Sequence, residues 1–136
     1  MQDRPTFDEL LAAVERFLDD QVVARSEGAL RYQGRVAANV IRIVRRELQR
    51  EDEQLAREWA GLDALVGAAE RPDGRAALRE ALAARNEALC ARVRAGDADS
   101  GPFRDAVLHH VRQAVRDKLL VTNPGWLGAD NNQGSG

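Results

Sequence analysis

The chain is expected to be all-α: an up-and-down helical bundle of four to five helices with a long second segment and no sheet. Three observations predict this. Strand signals are nearly absent, because β-branched residues are scattered and no segment alternates cleanly. Ala, Leu, Glu and Arg dominate, and all are good helix formers. Apolar residues recur at helical spacing along segments separated by Gly- and Pro-containing breaks.

The first helix is announced by Thr6 followed three residues later by Glu9, a capping box just after Pro5. Phe7, Leu10, Leu11, Val14, Phe17, Leu18 and Val22 then keep helical spacing until Ser26-Glu27-Gly28 interrupts it. The second segment runs from Leu30 to Val66 without a proline. Advancing by about 100° per residue from Val36, the apolar positions Leu30, Ala37, Val40, Ile41, Val44, Leu48, Leu55, Trp59, Leu62 and Val66 fall between about 40° and 140°. That phase survives the polar run Arg50-Glu51-Asp52-Glu53. An unbroken helix would reach roughly 55 Å, against about 35–40 Å for a compact domain of this size. A break or kink near residues 50–54 is therefore the reading taken; the alternative is an elongated, paired molecule.

Arg71-Pro72-Asp73-Gly74 reads as a loop, and the next helix runs from Arg75 to Arg94 with Leu78, Leu82, Leu89 and Val93 on one face. Gly96 suits its C-cap, and Pro102 suits the first turn of the last helix. That helix presents Val107, Leu108, Val111, Ala114, Val115 and Leu119, and Asn123-Pro124-Gly125 stops it. Trp126 and Leu127 are expected to fold back onto the bundle. Short connections favour antiparallel neighbours.

With 136 residues, the chain fits a single helical-bundle domain over residues 1–127 and a disordered polar tail over 128–136. Aromatics make up only 4%, so the core must rest on Leu, Val and Ala, and a thin core makes a homodimer the expected state. Net charge is −2, which disfavours a generic polyanion binder, and no nucleic acid is expected as partner. The single Cys90 excludes an intrachain disulfide and a multi-Cys metal site, and packs as a small hydrophobe, buried or half-buried. No apolar run approaches the roughly 20 residues of a membrane span, and no apolar N-terminal signal segment is present. The expected compartment is the cytoplasm. Nineteen arginines stand beside one lysine, Lys118, a ratio that fits the codon bias of a GC-rich bacterial genome.

Polar residues that interrupt apolar stripes are the first site candidates. Arg85 and Asn86 occupy the turn missing between Leu82 and Leu89, Lys118 falls inside the stripe of Leu108, Val111 and Val115, and Glu47 edges the stripe of the second segment. Buried polar groups are costly unless paired, so these four are expected to meet in one network, with Lys118 on Glu47. Such a cluster is either structural or the wall of a ligand pocket. The second candidate is a partner face on the second segment, where Arg31, Arg35, Arg42, Arg45 and Arg46 lie opposite the apolar stripe. His109 and His110 point about 100° apart and suit surface positions. No catalytic constellation, cofactor motif or metal set emerges.

Arg4-Pro5-Thr6 with Glu9-Leu10-Leu11, Arg35-Val36-Ala37-Ala38-Asn39, and Asp117-Lys118-Leu119 with Asn123-Pro124 resemble one bacterial family of unknown function, built of short helical proteins. The resemblance covers residues 4–127. It implies company rather than chemistry, since such proteins tend to be encoded beside aminoglycoside-phosphotransferase-like kinases and acyl-CoA dehydrogenases. The expected function is that of a non-catalytic helical accessory protein partnering itself and a phosphotransferase-like kinase. The competing expectation is a binder or enzyme for an acyl-CoA or phosphorylated metabolite, using a polar pocket between helices.

Overall fold

A computed structural model of the chain describes residues 4–128. Four α-helices and no strand are found among the described residues, as the all-α class requires. The chain divides into two compact units, Met1–Gln49 and Arg50–Gly136.

In the first unit, α1 (Phe7–Phe17) starts from the expected capping box: Thr6 Oγ1 accepts from the Glu9 amide at 3.2 Å, and Glu9 Oε2 accepts from the Thr6 amide at 2.7 Å. Beyond Phe17 the coil widens into a π-helical turn over Leu18–Val23. A four-residue link later, α2 (Gly28–Val66) begins and turns back along α1. Asp8 meets Arg45 and Gln49, Glu15 meets Arg42 and Arg45, and Val22 meets Gly34, so the two helices run antiparallel. Their close approach depends on two small residues one turn apart, Gly34 and Ala38, both buried. A Cβ on Gly34 would lie 3.0 Å from Val22 Cγ1 and 3.1 Å from Val23 Cγ2, so any larger side chain there pushes the helices apart.

α2 is one helix of 39 residues, and the break expected near residues 50–54 does not occur. The polar run that suggested it is held from the side. Glu51 is buried and ion-paired to Arg75 and Arg79, while Asp52 receives two hydrogen bonds from Arg75, at 2.8 and 2.9 Å. Paired charges let a helix stay continuous where an unpaired acidic run would favour an end.

The second unit packs the remainder of α2 with α3 (Arg75–Arg94) and α4 (Gly101–Thr122) around Trp59, Leu62, Leu65, Leu78, Leu82, Leu89 and Val107. Leu62 is wholly buried, and truncating such a residue to alanine typically costs about 2–5 kcal/mol. Within the all-α class one pairing departs from simple alternation. Glu51 pairs with Arg79, Glu58 with Asn86, and the Leu65 carbonyl with Arg92, so α3 advances in the same direction as α2. The connection over residues 67–74 must therefore travel back along α2 before α3 starts, and it leaves α2 at Gly67 with φ +96°. α4 runs antiparallel to α2: Gln54 and Arg57 reach Asp117, whereas Gly61 touches His110.

α3 keeps the boundaries that periodicity predicted, and Gly96 ends it at φ +94°, with its amide on the Val93 carbonyl and the Asp97 amide on the Arg92 carbonyl. Two core assignments shift. Val93 is exposed, and the expected return of Trp126 onto the bundle does not happen: Trp126 stands in solvent on a 3-10 turn (Pro124–Leu127), and only Leu127 is half-buried. Apart from Gly128, the tail expected over 128–136 lies outside the described residues.

Candidate functional site

Arg85 and Asn86, which break the apolar pattern of α3, do come together with polar groups of α2. Asn86 Nδ2 donates to Glu58 Oε1 at 2.7 Å. Arg85 Nη2 donates to Asp63 Oδ1 at 2.7 Å and to the Gly67 carbonyl at 2.6 Å, while its guanidinium carbon sits 4.1 Å from the Trp59 ring centroid. About two turns further on, Arg92 repeats the arrangement: it donates to the Leu65 carbonyl and to Asp97, and stacks 4.0 Å from the Phe103 centroid. α2 has no basic residue in its own last turn. The two α3 arginines supply the positive charge that its carbonyl end attracts.

His110 lies nearby, buried on α4 against Gly61. Burial pushes its imidazole below the ordinary value; the Glu58 carboxylate opposes that shift and His109 adds to it. A surface position was expected for both histidines, and His110 corrects that for one of them. Asp117 is also buried and accepts from Arg57 at 2.6 Å and Gln113 at 3.1 Å. These two polar residues turn α4 inward on the face that also carries Val107 and Val121. As a result Leu108, Val111 and Val115 face outward.

Lys118 goes with them. It is exposed, as is Glu47, so neither joins the buried network expected around Lys118; Glu58, Asp63 and His110 stand there instead. No periodicity argument singled out those three, because a stripe made of common apolar residues masks polar ones at its edge. Cys90, expected to be buried or half-buried, is exposed.

The expected partner face is divided. Arg42 and Arg45 are turned inward on the hairpin: Arg42 Nε donates to Glu15 at 2.7 Å and also pairs with Asp19, and Arg45 holds Asp8 at 2.8 and 3.1 Å and Glu15 at 2.6 Å. Arg31 and Arg35 are exposed, and Arg46 is half-buried with an interaction of its own. Hydrogen bonding to Arg45 first, and then its charge, holds the Asp8 carboxyl below the usual carboxylate range against the cost of burial. At Glu15 burial pushes upward, and the combined hydrogen bonds and charges of Arg45 and Arg42 outweigh it.

Chemically, Arg42 and Arg45 of the first unit and Arg57, Arg75, Arg79, Arg85 and Arg92 of the second bind the chain's own carboxylates and carbonyls. Among the described residues no group of three or more His, Cys, Asp or Glu side chains is placed to hold a metal ion, and no helix is long and apolar enough to cross a membrane. One buried side-chain atom among the described residues has no hydrogen-bond partner, Arg85 Nη1, and it lies in the same stacked guanidinium.

A family model for a domain of unknown function, DUF6285, matches residues 24–126, three quarters of the chain. The chain belongs to that family. The match takes in α2, α3 and α4 and begins after α1, so Arg35–Asn39 and Asp117–Pro124 fall inside it, while Arg4-Pro5-Thr6 and Glu9-Leu10-Leu11 fall outside. No curated protein and no solved structure matches. The DUF6285 core therefore carries the Arg85–Asn86 cluster, and α1 adds to this chain a helix that the family model does not include.

Proposed function

We propose that this chain is a non-catalytic helical interaction module of a bacterial cytoplasm, acting as accessory to a phosphotransferase-like kinase. The observation that carries this reading is the uncovered apolar face of the first unit, where Phe7, Leu10, Val14 and Phe17 of α1 and Val36, Val40, Val44 and Leu48 of α2 are all exposed. Soluble chains seldom leave a contiguous face of that size bare unless it docks. The polar cluster of the second unit argues in the same direction. Asn86 Nδ2 and Arg85 Nη2 already donate to the chain's own acceptors, and Arg85 Nη1 is the one donor of the cluster left for a metabolite. The resemblance to proteins encoded beside phosphotransferase-like kinases supplies the class of partner.

Co-expression of the chain with the kinase encoded nearest to it tests the reading. A complex of fixed stoichiometry that survives gel filtration, and a kinase that loses solubility or activity when the chain is withheld, are the expected outcomes. A kinase equally stable and active alone, with no complex formed, refutes it.

A further inference from the structure

We propose that the face of the first unit is filled by the same face of a second copy of this chain, two hairpins closing into a four-helix bundle. This rests on the reading of the chain as an interaction module and names one partner for it.

The hairpin has almost no core of its own. No residue of α1 is buried, and the buried positions of α2 facing it are Gly34 and Ala38, which remove little apolar surface from water. Two helices held by ion pairs and a small-residue crossing are half of a packed structure.

The missing half is outlined by the stripes. On α1, Phe7, Leu10, Val14 and Phe17 step by three, four and three residues, the spacing of a bundle seam. On α2, Val36, Val40, Val44 and Leu48 step by four. Each stripe lies about 120° around its helix from the residues facing the other helix, Asp8 and Glu15 on α1 and Gly34 and Arg45 on α2, and in the same rotational sense along the chain. Because the helices are antiparallel, equal rotations bring both stripes to one side of the hairpin. They form a single two-helix apolar face.

Its size matches what a dimer needs. Phe7 is 81% exposed, Phe17 and Leu30 57% each, and the remaining stripe residues roughly half. With large apolar side chains offering about 150–250 Å² each, the face amounts to on the order of 800 Å², the contribution of one partner to a stable interface. Charge also permits a second copy. The first 49 residues carry eight acidic and eight basic side chains, so two hairpins meet without net repulsion. The same balance gives no cationic excess to hold an anionic membrane. An apolar face on a unit of balanced charge suits a second copy of itself, and an isologous pair would bury both stripes.

The test is the mass of the full chain in solution by sedimentation equilibrium, compared with the double variant Val40→Glu/Val44→Glu and with Val115→Glu on the outer face of α4. All three positions are exposed, so the helical circular dichroism should be kept. The expected result is a dimer for the native chain and for Val115→Glu, and a dissociation constant raised about a hundredfold or more for the double variant, since two charges would enter the bundle core. A native chain that is monomeric up to its solubility limit overturns the proposal. So does a double variant that dimerises as tightly as the native chain, or a monomer that binds phosphatidylcholine–phosphatidylserine vesicles. A monomer that still forms the kinase complex would overturn the dimer alone and leave the interaction reading standing.

Discussion

Gly61 and His110 offer the sharpest check on the packing of the second unit. Gly61 is half-buried within α2, and a Cβ built on it would meet the buried His110 ring inside contact distance of Nδ1 and 3.0 Å from Cε1. At an open helical site Gly→Ala stabilises by about 0.8–1.0 kcal/mol. At this site the methyl must displace a ring from its own fitted position, and overpacking of that kind costs about 1–3 kcal/mol. The balance makes Gly61→Ala destabilising by about 1 kcal/mol. His110→Ala removes the obstacle at its own cost in packing. On that background Gly61→Ala should recover the helical gain, which makes the coupling between the two substitutions about 2 kcal/mol. That is several times the deviation of about 0.3–0.5 kcal/mol seen for independent sites. Urea unfolding followed by far-UV circular dichroism, on all four members of the cycle, measures it. A stabilising Gly61→Ala in the native background, or additive effects, would refute the close approach of α4 to α2 at this point.

Replacing Arg85 by alanine removes both its hydrogen bonds and its stack on Trp59, and should cost about 2–3 kcal/mol in urea unfolding; an unchanged midpoint would mean the cluster is not built as described. Arg45→Ala should release α1 while sparing the second unit, because α1 has no buried residue to hold it. Hydrogen exchange should therefore quicken in Phe7–Phe17 and stay unchanged in α3, and uniform quickening would contradict that. Acid should destabilise the fold in two stages. The depressed His110 favours its neutral form in the native state, so its contribution is present above about pH 6.5 and is lost as pH falls through the lower native value. Asp8, Glu15 and Asp52 are likewise held low, so theirs is present above about pH 4.5 and is lost below it. His110→Gln should flatten the first stage of a pH series of urea midpoints, and Glu15→Gln the second.

Much of the fold was legible because it depends on local rules. The Thr6–Glu9 box, the Arg75–Arg94 helix and the glycine at its end follow from capping and periodicity alone. The continuity of α2 was not legible, because what holds residues 50–54 is a lateral pairing of Glu51 and Asp52 with arginines more than 20 positions away. The same limit hid the inward face of α4. Angular arithmetic locates the most apolar stripe, and here burial follows a stripe about 100° away, chosen by the Arg57–Asp117 pair and the niche that Gly61 leaves for His110. Of the site candidates, Arg85 and Asn86 were found because they broke a pattern. Lys118 was misplaced by the assumption that the pattern faces inward.

The arginine excess takes on a different meaning once its partners are known. Nineteen arginines in a chain of net charge −2 could have served an acidic ligand, and the guanidinium is well shaped for one. Yet Arg42 and Arg45 close the hairpin, Arg75 and Arg79 steady the middle of α2, and Arg85 and Arg92 neutralise its carbonyl end. Each binds a group of the same chain, and a competing anion would have to break that pairing first. These six donors are therefore committed to holding helices together in a protein poor in aromatic residues. The apolar stripes, which a core would ordinarily consume, are left on the surface of α1, α2 and α4. In the proposed reading, recognition would fall to those hydrophobic faces, while the ion pairs hold the helices together.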